Sequence, residues 1–249
     1  MLTFVLLKGW GFTAEVIMPL RDALQKHFPD AQYAIPTQYC SSIHHDGDIQ
    51  EWRDQWLPRE ALSSPDARVC YLGWSLGGLL ASRLAALPDA RTATLITLGT
   101  NLRFVADDHW PCAMPPHDFK GFAQVWQRRP QDTLRHFARM ALQGCSNPRA
   151  LRAMMDDWLD FTLPIDDGQR QLGWLQSTDL SPYWTNKQYS CHHFFAAHDA
   201  LVPCTAAAEL AARGIQSDVL NDAGHLLPVT HAEHIARQIA DLLKDGADA

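Results

Sequence analysis

The chain has no apolar run near the 18 or so residues that a membrane span needs. It has no Cys-x-x-Cys pair: its six cysteines stand alone at 40, 70, 112, 145, 191 and 204, which argues against a zinc ribbon or a thioredoxin-like motif. It has few basic residues, 21 Lys and Arg against 28 Asp and Glu, for a formal charge of −7. Such a balance makes a poor general binder of nucleic acid or anionic membrane unless the basic residues cluster. Repeats and low-complexity tracts are also missing. The apolar start, Met1 to Leu7, is too short for a signal h-region and lacks a basic n-region. A reduced, cytoplasmic, monomeric protein that tolerates free thiols is expected. The 249 residues, 47% hydrophobic and 20% charged, are enough for one sizeable core.

The first hundred residues alternate. Leu2–Leu7, Ala31–Ile35, Arg68–Leu72 and Ala93–Leu98 read as short buried strands. Val16–Phe28 and Leu79–Leu87 read as helices, with Ile49, Trp52, Trp56 and Leu57 suggesting another after a loop over Cys40–Asp48. Between 103 and 185 the strand signal stops, and Phe119–Gln127, Asp132–Leu142 and Pro148–Phe161 have helical spacing. Alternation resumes with Tyr189–Ala196, Cys204–Ala212, Ile215–Leu220 and His231–Leu243, and Asp245–Ala249 is expected to fray. This is an α/β pattern: a mostly parallel sheet flanked by helices, with core residues 1–102 and 186–249 and a helical insertion at 103–185.

Gly73-Trp74-Ser75-Leu76-Gly77 is the strongest local signal. A Gly-x-Ser-x-Gly stretch between an apolar strand and an alanine-rich helix makes a sharp turn that exposes the serine hydroxyl at the sheet's carboxyl edge. The bland alternative is a glycine-rich turn whose serine caps the helix. A hydroxyl becomes nucleophilic only when a base takes its proton. In chain order an acid and then a histidine should follow. Asp199, after a late strand, and His225, after the last strand, occupy those loops. Asp222 stands too near His225 in sequence to point back at it. His198 is a surface candidate, while His192, His193, His231 and His234 lack a suitable loop position. His44-His45-Asp46 has no spaced partners, so no metal site is expected. An oxyanion needs two donors: the Leu76 amide, next to the nucleophile, and the Trp10 amide in the Gly9-Trp10-Gly11 loop after the first strand.

These stretches resemble an α/β-hydrolase, and within it the pimeloyl-acyl-carrier-protein methyl ester esterases of biotin synthesis. The likeness rests on Leu6-Leu7-Lys8-Gly9-Trp10-Gly11, Gly73-Trp74-Ser75-Leu76-Gly77-Gly78, Trp110-Pro111, Gly121-Phe122, Asp199-x-Leu201-Val202-Pro203 and Gly224-His225. It implies a serine carboxylesterase without cofactor, and a lid at 103–185 that contacts an acyl carrier protein. It also implies an acyl pocket at Arg139-Met140-Ala141-Leu142-Gln143, with Phe137 as a possible counterpart of the family's aromatic residue. Lys8 stands where the family has histidine, and the family's Asp-x-Pro-Gly-x-Gly segment is replaced by Ile35-Pro36-Thr37-Gln38-Tyr39.

Charge supports an acidic partner independently. From Lys120 to Met155 seven basic residues face one acid, Asp132, a net of 7 − 1 = +6. Arg128, Arg135, Arg139, Arg149 and Arg152 are the candidate carrier-binding residues, since guanidinium forks suit carboxylate and phosphate. A solvated helical face would show the same charges. Two other functions stay open: a short-chain carboxylesterase or thioesterase without a carrier, and a hydrolase-fold binding protein that has lost catalysis.

Overall fold

The computed structural model describes residues 1–39, 46–64, 66–87, 93–185 and 189–245. His44 and His45, most of the Cys40–Asp48 loop and residues 246–249 of the expected frayed tail lie outside the described residues. Helix begins at Asp46, earlier than the sequence pattern suggests.

Among the described residues six strands form one parallel sheet: β1 (Leu2–Leu7), β2 (Gln32–Ala34), β3 (Arg68–Trp74), β4 (Ala93–Leu98), β5 (Ser190–Ala196) and β6 (Ser217–Leu220). The order is β2-β1-β3-β4-β5-β6, and every neighbouring pair is parallel. Strands covered on both faces need unbroken apolar runs. β1 and β3 are accordingly buried from their second residue onward.

The chain leaves β1 for β2 on one side and returns to β3 on the other. Right-handed crossovers then put α1 (Met18–His27), entered through a 3-10 turn at Ala14–Ile17, on the face opposite α4 (Leu76–Ala85). α2 (Asp46–Trp56) packs on α4, and α3 (Arg59–Ser63) leads into β3. The reversal between β1 and β3 is the point where open α/β sheets place their ligands, beyond the carboxyl ends of the strands.

Between β4 and β5 the described residues form five helices: α5 (Pro116–Arg128), α6 (Pro130–Leu142), α7 (Pro148–Trp158), α8 (Ile165–Ser177) and α9 (Ser181–Trp184). Proline opens α5, α6 and α7, where its missing N–H costs nothing. α10 (Ala206–Ala212), α11 (Leu227–Thr230) and α12 (Ala232–Asp245) complete the chain. α12 buries Ile235, Ala236, Ile239 and Leu243, one stripe at helical spacing, and packs on α1. Among the described residues no helix is long and apolar enough to cross a membrane.

Candidate active site

Ser75 sits between the end of β3 and the start of α4 with φ 56° and ψ −120°. A non-glycine residue rarely holds that backbone, and it persists only when its surroundings enforce it. Here the Ser75 N–H donates to the Leu98 carbonyl at 2.9 Å, and its own carbonyl accepts from Gly78 N–H at 2.9 Å and from the Thr100 hydroxyl at 3.0 Å. The flanking glycines are obligatory for close approach. A Cβ on Gly73 would fall 2.1 Å from the Gly77 carbonyl oxygen, and one on Gly77 would fall 2.2 Å from that of Leu7. Gly-x-Ser-x-Gly is thus the pattern that lets α4 start against β1 and β3.

His225 and Asp199 come from the loops after β6 and β5. His225 Nδ1 lies 2.7 Å from Asp199 Oδ2, and both side chains are wholly buried. The other carboxylate oxygen accepts the N–H of Leu201 at 2.8 Å and of Val202 at 3.0 Å. With both oxygens engaged, the carboxylate fixes the ring and leaves a proton on Nδ1. His225 Nε2 is then the lone-pair nitrogen; it is buried and has no hydrogen-bond partner among the described residues. Trp74, next to Ser75, donates its indole N–H to the His225 carbonyl at 2.8 Å, and the two rings are 5.2 Å apart. Gly99, with φ +51°, lies beneath the pair: a Cβ there would meet His225 Nδ1 at 3.2 Å and Asp199 Oδ2 at 3.4 Å. The neighbouring Thr100 binds the Ser75 carbonyl, so the loop after β4 ties the three residues together.

The rival residues have other partners. Asp222 pairs with His231 at 3.1 Å. His192 meets Asp218 at 2.9 Å. His193 is stacked on Trp184 at 3.8 Å, and burial, with His192 beside it, lowers its pKa to about 3. His198 is exposed. No group of three or more His, Cys, Asp or Glu that could hold a metal occurs among the described residues.

Trp10 follows β1 and is completely buried, its indole N–H donating to the Gly168 carbonyl at 3.1 Å. Gly9 keeps this loop close to the serine: a Cβ on it would lie 3.3 Å from Ser75 Cβ. Leu76 is the first residue of α4, so the helix has no carbonyl for its N–H. Burial lowers the pKa of the neighbouring Lys8 to about 8, against a smaller opposing pull from Asp160. Its ammonium lies 5.0 Å from the centre of the Tyr39 ring.

A cavity of about 680 Å³ opens between the inserted helices and the loop after β5. Its apolar wall includes Trp10, Phe104, Phe122, Phe137 and Leu175, and its polar rim includes Arg129, His136 and Arg139. It does not touch Ser75. The serine faces a space of only about 10 Å³, which shares Phe104 and Leu175 with the larger cavity. These two residues line both spaces, and no sequence motif marks them. Of the five lid residues read from the sequence, Arg139 and Met140 line the cavity. Ala141 is buried, Leu142 faces another cleft and Gln143 is exposed. A helix presents only every third or fourth residue to one side, and here Thr133, His136, Phe137 and Met140 take that side of α6.

Arg128, Arg135, Arg139, Arg149 and Arg152 are all exposed, at the end of α5 and along α6 and α7. Arg135, Arg139 and Arg152 surround a cleft of about 290 Å³ between α6 and α7, with Asp156 also at its edge. Arg135 lies over the Phe161 ring at 5.0 Å.

The chain is 30% identical, over 96% of its own length and 97% of the other, to a pimeloyl-[acyl-carrier protein] methyl ester esterase of Aromatoleum aromaticum. It is 28% identical to the protein of that name from Pectobacterium atrosepticum, over 94% and 91% of the two chains. It is also 27% identical to the biotin biosynthesis bifunctional protein BioHC of Cellvibrio japonicus, over 98% of this chain but 48% of that protein, about half its length. An esterase from Exiguobacterium antarcticum has the same fold, with a TM-score of 0.79, 16% identity and coverage of 98% and 92%. The alpha/beta hydrolase family model matches residues 4–238, and the chain belongs to that family.

Proposed function

We propose that the protein is a serine carboxylesterase that hydrolyses the methyl ester of pimeloyl-acyl carrier protein, giving pimeloyl-acyl carrier protein and methanol. The coarser statement, that it is a carboxylic ester hydrolase, follows from its family and its esterase relatives. The observation that carries the catalytic reading is the buried His225–Asp199 pair at 2.7 Å, with Nε2 unpartnered, linked to the positive-φ Ser75 turn through the Trp74 indole on the His225 carbonyl.

The chemistry follows from these groups. Ser75 Oγ attacks the ester carbonyl carbon as His225 Nε2 takes its proton. Asp199 holds the tautomer and stabilises the imidazolium. The N–H groups of Trp10 and Leu76 receive the charge that develops on the carbonyl oxygen. Collapse breaks the bond to methoxide, which leaves as methanol with the His225 proton. Water, deprotonated by His225, then releases the free acid and restores Ser75.

The cavity behind Phe104 and Leu175 offers an apolar site for the acyl chain, within a lid formed by 103–185. Acyl carrier proteins are acidic, and the five exposed arginines of α5 to α7 give them a complementary docking face. The names of the relatives support this choice of substrate.

The test is growth of a biotin auxotroph that lacks its own esterase. The wild-type gene should restore growth and Ser75→Ala should not. In vitro, methyl pimeloyl-carrier protein should yield methanol and free acid. Hydrolysis of p-nitrophenyl esters without hydrolysis of the carrier-bound ester would leave a carboxylesterase with no carrier partner. A wild-type protein that fluorophosphonate fails to label would be a binding protein.

A further inference from the structure

The loop that carries Trp10 is held by the inserted helices. The Trp10 indole donates to Gly168 of α8 at 3.1 Å, and its ring meets Phe122, Trp126 and Phe137 edge-on at 5.2, 5.0 and 5.3 Å. The residues that follow pair with the chain between α7 and α8. Asp160 N–H donates to the Gly11 carbonyl at 2.9 Å, Thr13 N–H donates to the Trp158 carbonyl at 2.7 Å, and Phe12 forms an antiparallel bridge with Leu159. On the core side the loop has the Tyr39 hydroxyl on the Lys8 carbonyl at 2.7 Å and the contact of Gly9 with Trp74.

We infer that docking of the inserted helices sets the position of the oxyanion donor, with the Trp10 indole as the positioning group that transmits it to the Trp10 amide. This rests on the reading of that amide as an oxyanion donor, and it gives the insertion a role beyond enclosing the acyl chain. An oxyanion donor must lie about 2.7–3.1 Å from the place the oxyanion takes, and misplacement by ~1 Å can cost about a hundredfold. An insertion bonded to the loop at Trp10, Gly11 and Thr13 controls that distance directly. A merely enclosing insertion would alter the binding of long acyl chains and leave the reaction of short ones alone.

The two roles separate kinetically. Trp10→Phe keeps a ring among Phe122, Trp126 and Phe137 and removes the donor to Gly168. We expect kcat to fall about tenfold on both p-nitrophenyl acetate and p-nitrophenyl hexanoate, with KM within about twofold. Inhibition by a trifluoromethyl ketone, which forms a tetrahedral oxyanion on Ser75, should weaken by the same factor. Gly168→Ala approaches the same contact from the other side and leaves Trp10 intact. Its Cβ would lie 2.2 Å from the Trp126 ring, so α8 or that ring must move. It should reproduce the loss on both esters, and it decides the matter if Trp10→Phe does not fold. A loss confined to hexanoate, a loss taken in KM, or wild-type kinetics in a folded variant overturns the inference. If the wild type hydrolyses neither ester better than Ser75→Ala, the esterase reading itself has failed, and the inference with it.

Discussion

Asp199→Asn changes one atom and should nearly abolish turnover. In the wild type, Oδ1 accepts two backbone N–H groups, from Leu201 and Val202, and Oδ2 faces His225 Nδ1 at 2.7 Å. An asparagine in the same place must keep its carbonyl oxygen toward the two N–H donors. Its NH2 therefore faces His225 Nδ1, which can accept from it only when unprotonated. The proton moves to Nε2, and the nitrogen that should accept from Ser75 becomes a donor. A reversed tautomer of this kind costs about ten thousandfold in kcat, or ~5.4 kcal/mol at 1.36 kcal/mol per decade. The assay is steady-state hydrolysis of a p-nitrophenyl ester, with a thermal melt to show that the buried site still folds. KM should change little, because the group does not touch the acyl chain. Asp222→Asn is the control: its partner is His231, and activity should stay within about twofold. Activity within about tenfold of wild type in Asp199→Asn would refute the assignment of the acid.

Lys8→Met should raise the melting temperature at neutral pH. Burial lowers the lysine from its ordinary 10.5 to about 8, a cost on the order of 3 kcal/mol while it is charged. Between these two values the unfolded chain holds the proton and the folded chain does not, so wild-type stability rises with pH across that window. The advantage of the variant should shrink between pH 8 and 10.5, and a constant advantage would contradict it. Gly77→Ala should cost about 3 kcal/mol or more, because its Cβ meets the backbone of Leu7 and Lys8; a melting temperature within about 2 °C of wild type would be the contrary result. Arg→Glu changes together at 135, 139, 149 and 152 should impair hydrolysis of the carrier-bound ester and spare p-nitrophenyl acetate. Equal losses on both would count against carrier docking.

Much of the fold around the candidate site is legible in the sequence because its physics is local. β1 and β4 match the apolar runs Leu2–Leu7 and Ala93–Leu98 residue for residue, as strands buried on both faces should. Ser75 is marked by glycines that only a tight crossing demands, and Asp199 and His225 follow the ends of late strands. The helix after Ser75 begins at Leu76, three residues before the sequence pattern suggests, because packing overrides the poor propensity of Gly77 and Gly78. α8 carried no clear signal. Its first half is polar and it contains Gly168 and Gly173, and the stripe it buries, Gly168, Gln171, Leu172 and Leu175, includes a glycine and a glutamine. Gly99, Phe104 and Leu175 are likewise defined by what lies across from them, which spacing along a chain does not encode. A glycine directly after β4 was the one available hint for Gly99. Resemblance marks Arg139–Gln143 as one block, whereas helical phase divides it between two sides.

The order β2-β1-β3-β4-β5-β6 places Ser75 beside the centre of the sheet, with Asp199 and His225 beyond its last two strands. A half-formed sheet can hold the serine turn but cannot bring it an imidazole. Reaction with fluorophosphonate would therefore time the arrival of β5 and β6 during refolding, and an incompletely folded chain would be chemically silent.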